Sequence, residues 1–253
     1  MYHTTGFSKV EIIRLCTMLH EAFPTPVSTV GRKPSLGLYK KVVVTLAYLR
    51  RNRVQQELAE LFETSQSTIS RAISQMTPML DEVLHHWVPT AEDLDPDIQL
   101  IVDGTLLPCW SWRNEPDLWS GKHRTTGQSV LVATTLTGDL AWVSDPMPGK
   151  THDAKALRES RLLDSDTDAP AIGDKGFIGL GMLTPFRRPP GGELLDWQKE
   201  FNATVNSIRA VVERAIANLK TWRILHTDYR RPIKTFRQTI STVIALEFYR
   251  LTF

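Results

Sequence analysis

The sequence has 253 residues, 42% of them hydrophobic and 23% charged, with 30 Lys and Arg against 28 Asp and Glu. This composition is that of a globular protein and excludes a largely disordered chain. Two distant cysteines, Cys16 and Cys109, exclude a disulfide scaffold and a four-cysteine zinc site. The most apolar run, residues 42–49, is too short to span a bilayer, and the N-terminus has no signal-peptide pattern. We therefore expect a cytoplasmic protein without membrane association.

The formal net charge of +2 hides a segregation of charge along the chain. Residues 22–56 contain seven bases and no acid, residues 80–120 nine acids and one base, and residues 201–253 nine bases and three acids. Two basic segments on either side of an acidic one can form phosphate-binding surfaces around a carboxylate-lined centre. Solvated charged faces are the alternative interpretation, and charge alone leaves both open.

The first third of the chain predicts helices. Apolar residues recur with helical spacing in residues 8–22 and 36–50, and residues 78–88 predict a further helix. Residues 89–97 are rich in acids and contain two prolines, which favours a boundary. We therefore expect a helical DNA-binding domain at residues 1–90 and a second domain at residues 95–253.

Residues 55–77 predict two short helices joined by a tight turn, with Thr64 or Ser65 capping the second. The segment resembles DNA-binding helix-turn-helix segments, although Glu63 stands where glycine is usual in the turn. Amides, hydroxyls and a guanidinium suited to base edges and phosphates would lie on the exposed side of the second helix: Gln66, Ser67, Thr68, Ser70 and Arg71. An ordinary helical hairpin is the alternative, and the basic segment upstream favours DNA binding.

The rest of the chain predicts an α/β domain with a mixed sheet. The predicted strands cover residues 98–105, 128–136, 140–143 and 170–174. A short helix begins at His152 and Asp153 and runs through Leu157, and a long helix covers residues 203–225.

Three carboxylates stand out in this domain. Asp103 and Asp174 each end a predicted apolar strand, and Glu213 lies on the polar face of the long helix. Taken alone, Glu213 is best interpreted as a surface carboxylate paired with Arg209. Adjacent parallel strand ends would, however, bring the two aspartates together, and the helix could add the glutamate. Oxygen ligands without cysteine suit Mg²⁺ or Mn²⁺.

Several motifs together resemble those of the DDE-type transposases of bacterial insertion sequences, in the insertion-sequence-five group and related to Harbinger-like transposases. They are IVDGT at 101–105, WSGKHR at 119–124, PGKTHD at 148–153, IGDKGF at 172–177, and Arg209, Glu213 and Lys220 at the family spacing. A tyrosine often precedes this arginine by three residues, where this chain has Asn206, as in the Harbinger-like branch.

The resemblance implies a ribonuclease H-like catalytic domain in which Asp103, Asp174 and Glu213 bind two divalent cations, Mg²⁺ or Mn²⁺. It implies that Lys220 holds a DNA phosphate. It also implies that Arg209 supports the helix face that carries Glu213 and contacts DNA there. The chemistry would be nicking at transposon ends by water, followed by attack of the freed 3′-hydroxyl on target DNA. Such proteins act as dimers or larger multimers on double-stranded DNA.

Further residues are candidates for DNA contact or support of the site. Lys122 and Arg124, in a tryptophan-rich region, and Arg230 and Arg231, in the basic C-terminal segment, are expected to contact DNA. His152 and Asp153 are expected to lie near the site and orient a ligand or water, or to start a helix. Two other functions remain open: a DNA-binding protein that has lost catalysis, and a metal-dependent nuclease that does not join DNA.

Overall fold

A computed structural model of the protein describes residues 1–24, 34–110, 114–163 and 170–252. Part of the predicted basic segment, residues 25–33, lies outside this description. The chain divides into two compact units. The helical unit comprises Met1–Val88 and Lys220–Phe253, and the sheet unit comprises Pro89–Leu219. The residues from Lys220 onward therefore group with the N-terminal helices, and the domains expected at residues 1–90 and 95–253 stay a prediction.

Five helices form the N-terminal part of the helical unit: α1 Tyr2–Thr5, α2 Lys9–Ala22, α3 Leu38–Arg51, α4 Gln55–Leu61 and α5 Gln66–Leu84. The helices predicted at residues 8–22 and 36–50 are confirmed. A capping box starts α2, because the Ser8 hydroxyl accepts the Glu11 backbone N–H and the Glu11 carboxylate accepts that of Ser8. Ser65 caps α5 by accepting the Thr68 N–H at 3.3 Å, as the sequence predicts.

Helix α5 is longer than predicted, because it runs through Pro78 instead of ending before it. Proline has no N–H and leaves the carbonyl four residues earlier without its helical donor. The helix continues because α5 packs on α3, and Ile73, Met76 and Leu80 on both sides of the proline are buried. Tertiary packing therefore outweighs the local cost, and the separate helix predicted at 78–88 is wrong.

The sheet unit is built around one long strand. Its elements are β1 Ile101–Pro108, β2 Trp119–Ser120, β3 Thr125–Thr134, β4 Leu140–Val143, β5 Met147–Pro148, α6 Asp153–Ser160 and α7 Asp196–Leu219. All four other strands pair with β3 in antiparallel orientation. The β1–β3 pair is the longest and runs from Ile101 opposite Thr134 to Pro108 opposite Gly127.

The predicted strand at 170–174 is reduced to single bridges. Ile172 pairs in parallel with Ile101 on one side and Leu183 on the other. The segment leaves the sheet at once, because Asp174 caps a 3₁₀ turn at Lys175–Phe177. The sheet is therefore antiparallel apart from these parallel bridges. Strand β1 ends at Pro108, beyond the predicted end at residue 105, so Asp103 lies inside the strand.

Helix α7 packs on β1 and β3. Its buried apolar side chains, Val205, Val212, Ala215 and Leu219, form a stripe with helical spacing, and Asn202 is also buried. The helix begins seven residues before the predicted start at 203 and ends before the predicted end at 225. It stops because Trp222 adopts an extended backbone and buries its ring fully.

The C-terminal helix α8, Phe236–Arg250, completes the helical unit and was not predicted. It packs on α5, and almost every side chain from Thr239 to Tyr249 is buried. Glu247 is buried and accepts the indole N–H of the buried Trp222 at 2.8 Å and two hydrogen bonds from the half-buried Arg250. Among the described residues, no helix is both long enough and apolar enough to cross a membrane.

Candidate functional site

Asp103 and Asp174 occupy equivalent positions on neighbouring parallel segments. The Val102 N–H donates to the Ile172 carbonyl at 2.8 Å, and the Ile172 N–H donates to the Leu100 carbonyl at 2.7 Å. Ile101 is thereby paired with Ile172, and each aspartate lies two residues further on. Because side chains alternate along extended chain, both carboxylates project on the same side as the paired isoleucines.

Asp103 is a largely buried carboxylate with a cation beside it. Its side chain is 16% exposed, its Oδ1 accepts the Gly104 N–H, and its Oδ2 lies 3.4 Å from Arg209 Nη2. Burial raises the pKa of Asp103. The Arg209 charge and the hydrogen bond from the Gly104 N–H lower this pKa, and the Asp174 charge raises it. The net effect is a pKa above the usual value of an aspartate. Arg209 therefore supports Asp103, which differs from the predicted support of Glu213.

Asp174 is held by the turn that follows it. Its Oδ1 accepts the Gly176 N–H at 2.7 Å, so one carboxylate oxygen is used for capping. A Cβ at residue 176 would lie 2.8 Å from that oxygen, which explains the glycine in this position. The motif at 172–177 therefore fixes a carboxylate by local backbone geometry.

Asp153 forms a further part of the same region. Its carboxylate lies against the backbone of Gly104, the residue that follows Asp103. Its Oδ2 accepts a hydrogen bond from Lys122 Nζ at 2.9 Å. Desolvation lowers the pKa of Lys122, but the hydrogen bond to Asp153 and the charges of Asp153, Asp174 and Asp103 raise it, and the net pKa is raised. His152, which is exposed, occupies the N-cap position of α6, and Asp153 is its first residue.

Glu213 lies one helical turn beyond Arg209 on α7 and is exposed. Among the described residues it makes neither a hydrogen bond nor an ion pair. The pairing with Arg209 that the sequence suggested for a surface glutamate is absent, because Arg209 pairs with Asp103. Within residues 1–24, 34–110, 114–163 and 170–252, no three His, Cys, Asp or Glu side chains are close enough to hold one metal ion.

The chemistry of the region nevertheless fits a divalent cation. Two carboxylates that repel each other, one of them buried, favour a bound cation between them. Asp174 retains a free oxygen, and no cysteine is present among the residues that compose the region, so the ligands are of the type preferred by Mg²⁺ and Mn²⁺. Lys122 and Arg209 supply compensating positive charge in this structure.

The helix-turn-helix segment has the predicted form, with α4 and α5 joined by residues 62–65. The Thr64 N–H donates to the Ala59 carbonyl and the Glu63 N–H to the Glu60 carbonyl, which is a Schellman motif. Glu63 has a φ of 50° at the left-handed position of that motif. The unusual glutamate therefore occupies the backbone conformation for which glycine is usual.

The predicted DNA-contacting side chains of α5, which we call the recognition helix, are exposed or half-buried. Gln66 donates to Gln55 at 3.0 Å, and Arg71 folds back to the Ser67 carbonyl at 3.2 Å. Arg124 is exposed, with a φ of 51°, and Arg230 is exposed in the helical unit. Arg231 donates to the Ser74 hydroxyl at 2.6 Å. Lys220 is partly buried, and this burial lowers the pKa of its ammonium.

Two family models match this chain. The model described as "DDE superfamily endonuclease" matches residues 102–247, and the model described as "Helix-turn-helix of DDE superfamily endonuclease" matches residues 34–91. The first match alone covers more than half of the chain, and it contains both aspartates and α7. The chain therefore belongs to the DDE superfamily endonucleases, a family that implies dependence on a divalent metal ion.

Two curated relatives share most of their length with it. The chain is 32% identical over 222 residues to a putative transposase for insertion sequence element IS112 of Streptomyces albus G. It is 25% identical over 232 residues to a probable transposase for insertion sequence element IS702 of Microchaete diplosiphon. Each alignment covers 87% of this chain and 83% of the relative. No solved structure matches the chain.

Proposed function

We propose that the protein is the transposase of a bacterial insertion sequence, acting in the cytoplasm on double-stranded DNA. It binds the terminal inverted repeats through the helix-turn-helix, cleaves DNA at the element's ends and joins the freed 3′-hydroxyl to target DNA. The observation that carries this function is that Asp103 and Asp174 each lie two residues beyond the paired Ile101 and Ile172, in a chain whose relatives, matched over 83% of their length, are transposases.

The finer family assignment rests on the motifs of this chain. Arg209, Glu213 and Lys220 have the spacing of the insertion-sequence-five group, with kinship to Harbinger-like transposases. A ribonuclease H-like fold is supported by an antiparallel β1–β3–β4 meander, followed by α6 and then a segment parallel to β1. In this order of elements, the segment before Asp174 lies beside β1 and α7 packs on β1.

Asp103, Asp174 and Glu213 are proposed as the ligands of two Mg²⁺ or Mn²⁺ ions. When bound, the ions activate the nucleophilic oxygen and stabilise the leaving oxygen of a phosphodiester. Asp103 is kept at its position by Gly104 and Arg209, Asp174 by Gly176, and Glu213 is carried on α7 without a competing partner among the described residues.

The remaining side chains have supporting roles in this proposal. Arg209 neutralises Asp103 and faces the DNA, and Lys220 binds a phosphate. Asp153, with His152 beside it, orients Lys122 next to the two aspartates. Lys122 and Arg124 bind DNA near the cleavage point, whereas Arg230, Arg231 and the exposed side of the recognition helix bind DNA through the helical unit. A dimer or larger multimer would hold the two ends.

The test is cleavage and joining of duplexes that carry the repeats flanking the gene, with Mg²⁺ or Mn²⁺. Asp103→Ala, Asp174→Ala and Glu213→Ala should each abolish both reactions and retain DNA binding. Glu200→Gln is the control for Glu213, because it removes an exposed carboxylate from the same helix. Strand transfer that survives in Asp174→Ala would contradict the metal-ligand assignment.

The same assay separates the other two functions. Cleavage without joined products from a pre-cleaved end would indicate a nuclease. Binding without cleavage in the presence of either metal would indicate a DNA-binding protein that has lost catalysis.

A further inference from the structure

A basic cleft lies beside the recognition helix within the helical unit. It has a volume of about 330 Å³ and is lined by side chains from both ends of the chain. Those that matter here, which we call the arginine cleft, are Arg53, Gln56, Gln66, Arg230 and Arg231. Three guanidinium groups and four side-chain amides line it, together with Tyr48 and Val54, and none of the described lining residues is acidic.

The C-terminal arginines are held in place by specific contacts with the N-terminal helices. Asn52, which ends α3 in the left-handed conformation, donates from its amide to the Thr227 hydroxyl at 2.7 Å. Arg231 donates to the hydroxyl of Ser74 on the recognition helix at 2.6 Å. These contacts join segments 175 and 157 residues apart in sequence. The position of the basic segment beside the helix is therefore part of the fold.

The three guanidinium groups of the cleft differ in the hydrogen bonds and ion pairs that they form within the protein. Arg53 forms an exposed ion pair with Glu57 at 3.3 Å, and Arg231 uses one N–H for Ser74. Arg230 is exposed and makes no hydrogen bond or ion pair among the described residues. Arginine presents several N–H donors in a planar arrangement that suits phosphate oxygens, so this cleft has spare donors for one phosphate group.

The cleft also has the right position relative to the helix. At about 100° per residue, Gln66 lies at one edge of the exposed face of the recognition helix, and Arg71 lies at the other edge. Arg71, Lys41 and Gln75 line a second basic cleft there. A helix in the major groove has a phosphate backbone along each side, so basic clefts at both edges match that geometry.

We propose that the arginine cleft binds one phosphate of the DNA backbone beside the recognition helix. The C-terminal segment and the helix-turn-helix then form a single DNA interface, although they are separated in sequence by the whole sheet unit. This inference rests on the proposed DNA-binding function and specifies which guanidinium groups act at the transposon end. Phosphate contacts at this edge fix the register of the helix and carry no sequence information of their own.

The experiment measures the affinity of the full chain for two duplexes, the flanking terminal repeat and a scrambled sequence of equal length, over a range of KCl concentrations. Arg230→Gln and Arg231→Gln should each weaken binding to both duplexes by the same factor. Each should reduce the slope of log affinity against log salt, and the double variant should reduce it by about 0.9, the value for one lost phosphate contact, because both arginines act on the same phosphate. Specificity, the ratio of the two affinities, should be unchanged.

Lys234→Gln is the matched control, since it removes one positive charge from the same basic segment outside the cleft lining. Its slope should remain that of the wild type. Arg231→Lys keeps the charge and should keep most of the slope, which separates loss of charge from loss of the Ser74 contact. Circular dichroism of every variant checks that the helical unit is folded, and Arg230 is suited to this test because it is exposed.

Equal slope changes in all three glutamine variants, or no change in the two arginine variants, would overturn the arginine cleft as a phosphate site. In either case wild-type preference for the terminal repeat would leave the proposed function standing. If the wild type did not prefer the terminal repeat, the proposed function would fail, and if it bound neither duplex, both proposals would fail.

Discussion

The Asp153 carboxylate occupies the space next to Gly104 that a side chain at residue 104 would need. A Cβ added there would lie 2.5 Å from Asp153 Oδ1. Gly104 immediately follows Asp103, and Asp153 holds Lys122 at 2.9 Å. A glycine thus allows a helix N-terminus to bring a carboxylate and its lysine against the strand that carries the first candidate catalytic aspartate.

Gly104→Ala should therefore displace Asp153 and Lys122 and reduce DNA cleavage at least about tenfold. The clash is expected to lower the free energy of unfolding by about 1–3 kcal/mol, the usual cost of overpacking. Gly121→Ala is the control, because a Cβ at that glycine meets nothing within 4 Å. Adding Asp153→Ala should restore stability and leave cleavage impaired; if it restored both, Asp153 would have no role besides occupying space.

Lys122→Gln should bind Mn²⁺ more tightly than the wild type in the absence of DNA. Its ammonium interacts with Asp103, Asp153 and Asp174, so its positive charge opposes a cation at the same carboxylates. The free ion can be followed by electron paramagnetic resonance during titration of chelator-treated protein. Lys150→Gln should leave the affinity unchanged, because Lys150 pairs with the exposed Asp117 instead. Weaker Mn²⁺ binding by Lys122→Gln would contradict this arrangement of charges.

Glu247→Ala should destabilise the helical unit by about 3–5 kcal/mol. Glu247 is 3% exposed and accepts hydrogen bonds from the Trp222 indole and the Arg250 guanidinium. Removing the carboxylate leaves a buried indole N–H and a guanidinium without their acceptor. Guanidinium chloride unfolding measures the effect. Glu57→Ala, which breaks the exposed pair with Arg53, should cost less than about 1 kcal/mol, and similar costs for both variants would contradict the role of burial.

Alkaline pH should destabilise the protein through Tyr48. Burial raises the pKa of its phenol to about 12, against about 10 in an unfolded chain. Between these values the folded state retains a proton that the unfolded state has lost, so stability decreases as pH rises from about 10 to about 12, by up to about 2.7 kcal/mol. Tyr48→Phe should lack this contribution. A stability difference between the two proteins that stays constant from pH 9 to pH 12 would contradict the raised pKa.

Elements with a strong local signal could be predicted from the sequence. Ser65 caps the recognition helix, and the buried stripe of α7 follows the expected spacing, because capping and amphipathic periodicity are local properties. Helix α8 could not be found this way, since its side chains are buried on nearly all sides and leave no apolar stripe. Pro78 misled the prediction because packing of α5 outweighed a local helix-breaking preference.

The sequence indicated which residues belong to the candidate site but not which ion pairs they form. The positions of Asp103 and Asp174 after apolar segments indicated that they could meet, and the Ile101–Ile172 bridge brings them to equivalent positions. The ion pairs Asp103–Arg209 and Asp153–Lys122 depend on strand register and on where α6 begins, which no local pattern specifies. That the three proposed ligands belong to one metal site remains a prediction.

The helical unit is interrupted in sequence by the sheet unit, and this order has a consequence for synthesis. A ribosome makes the recognition helix early, but Arg230, Arg231 and α8 emerge only after the entire sheet unit. A nascent or prematurely terminated chain therefore lacks both the last packing layer of its DNA-binding unit and two of the arginines beside the recognition helix. Chains that stop before α8 should therefore bind DNA less tightly than finished ones and compete with them only weakly.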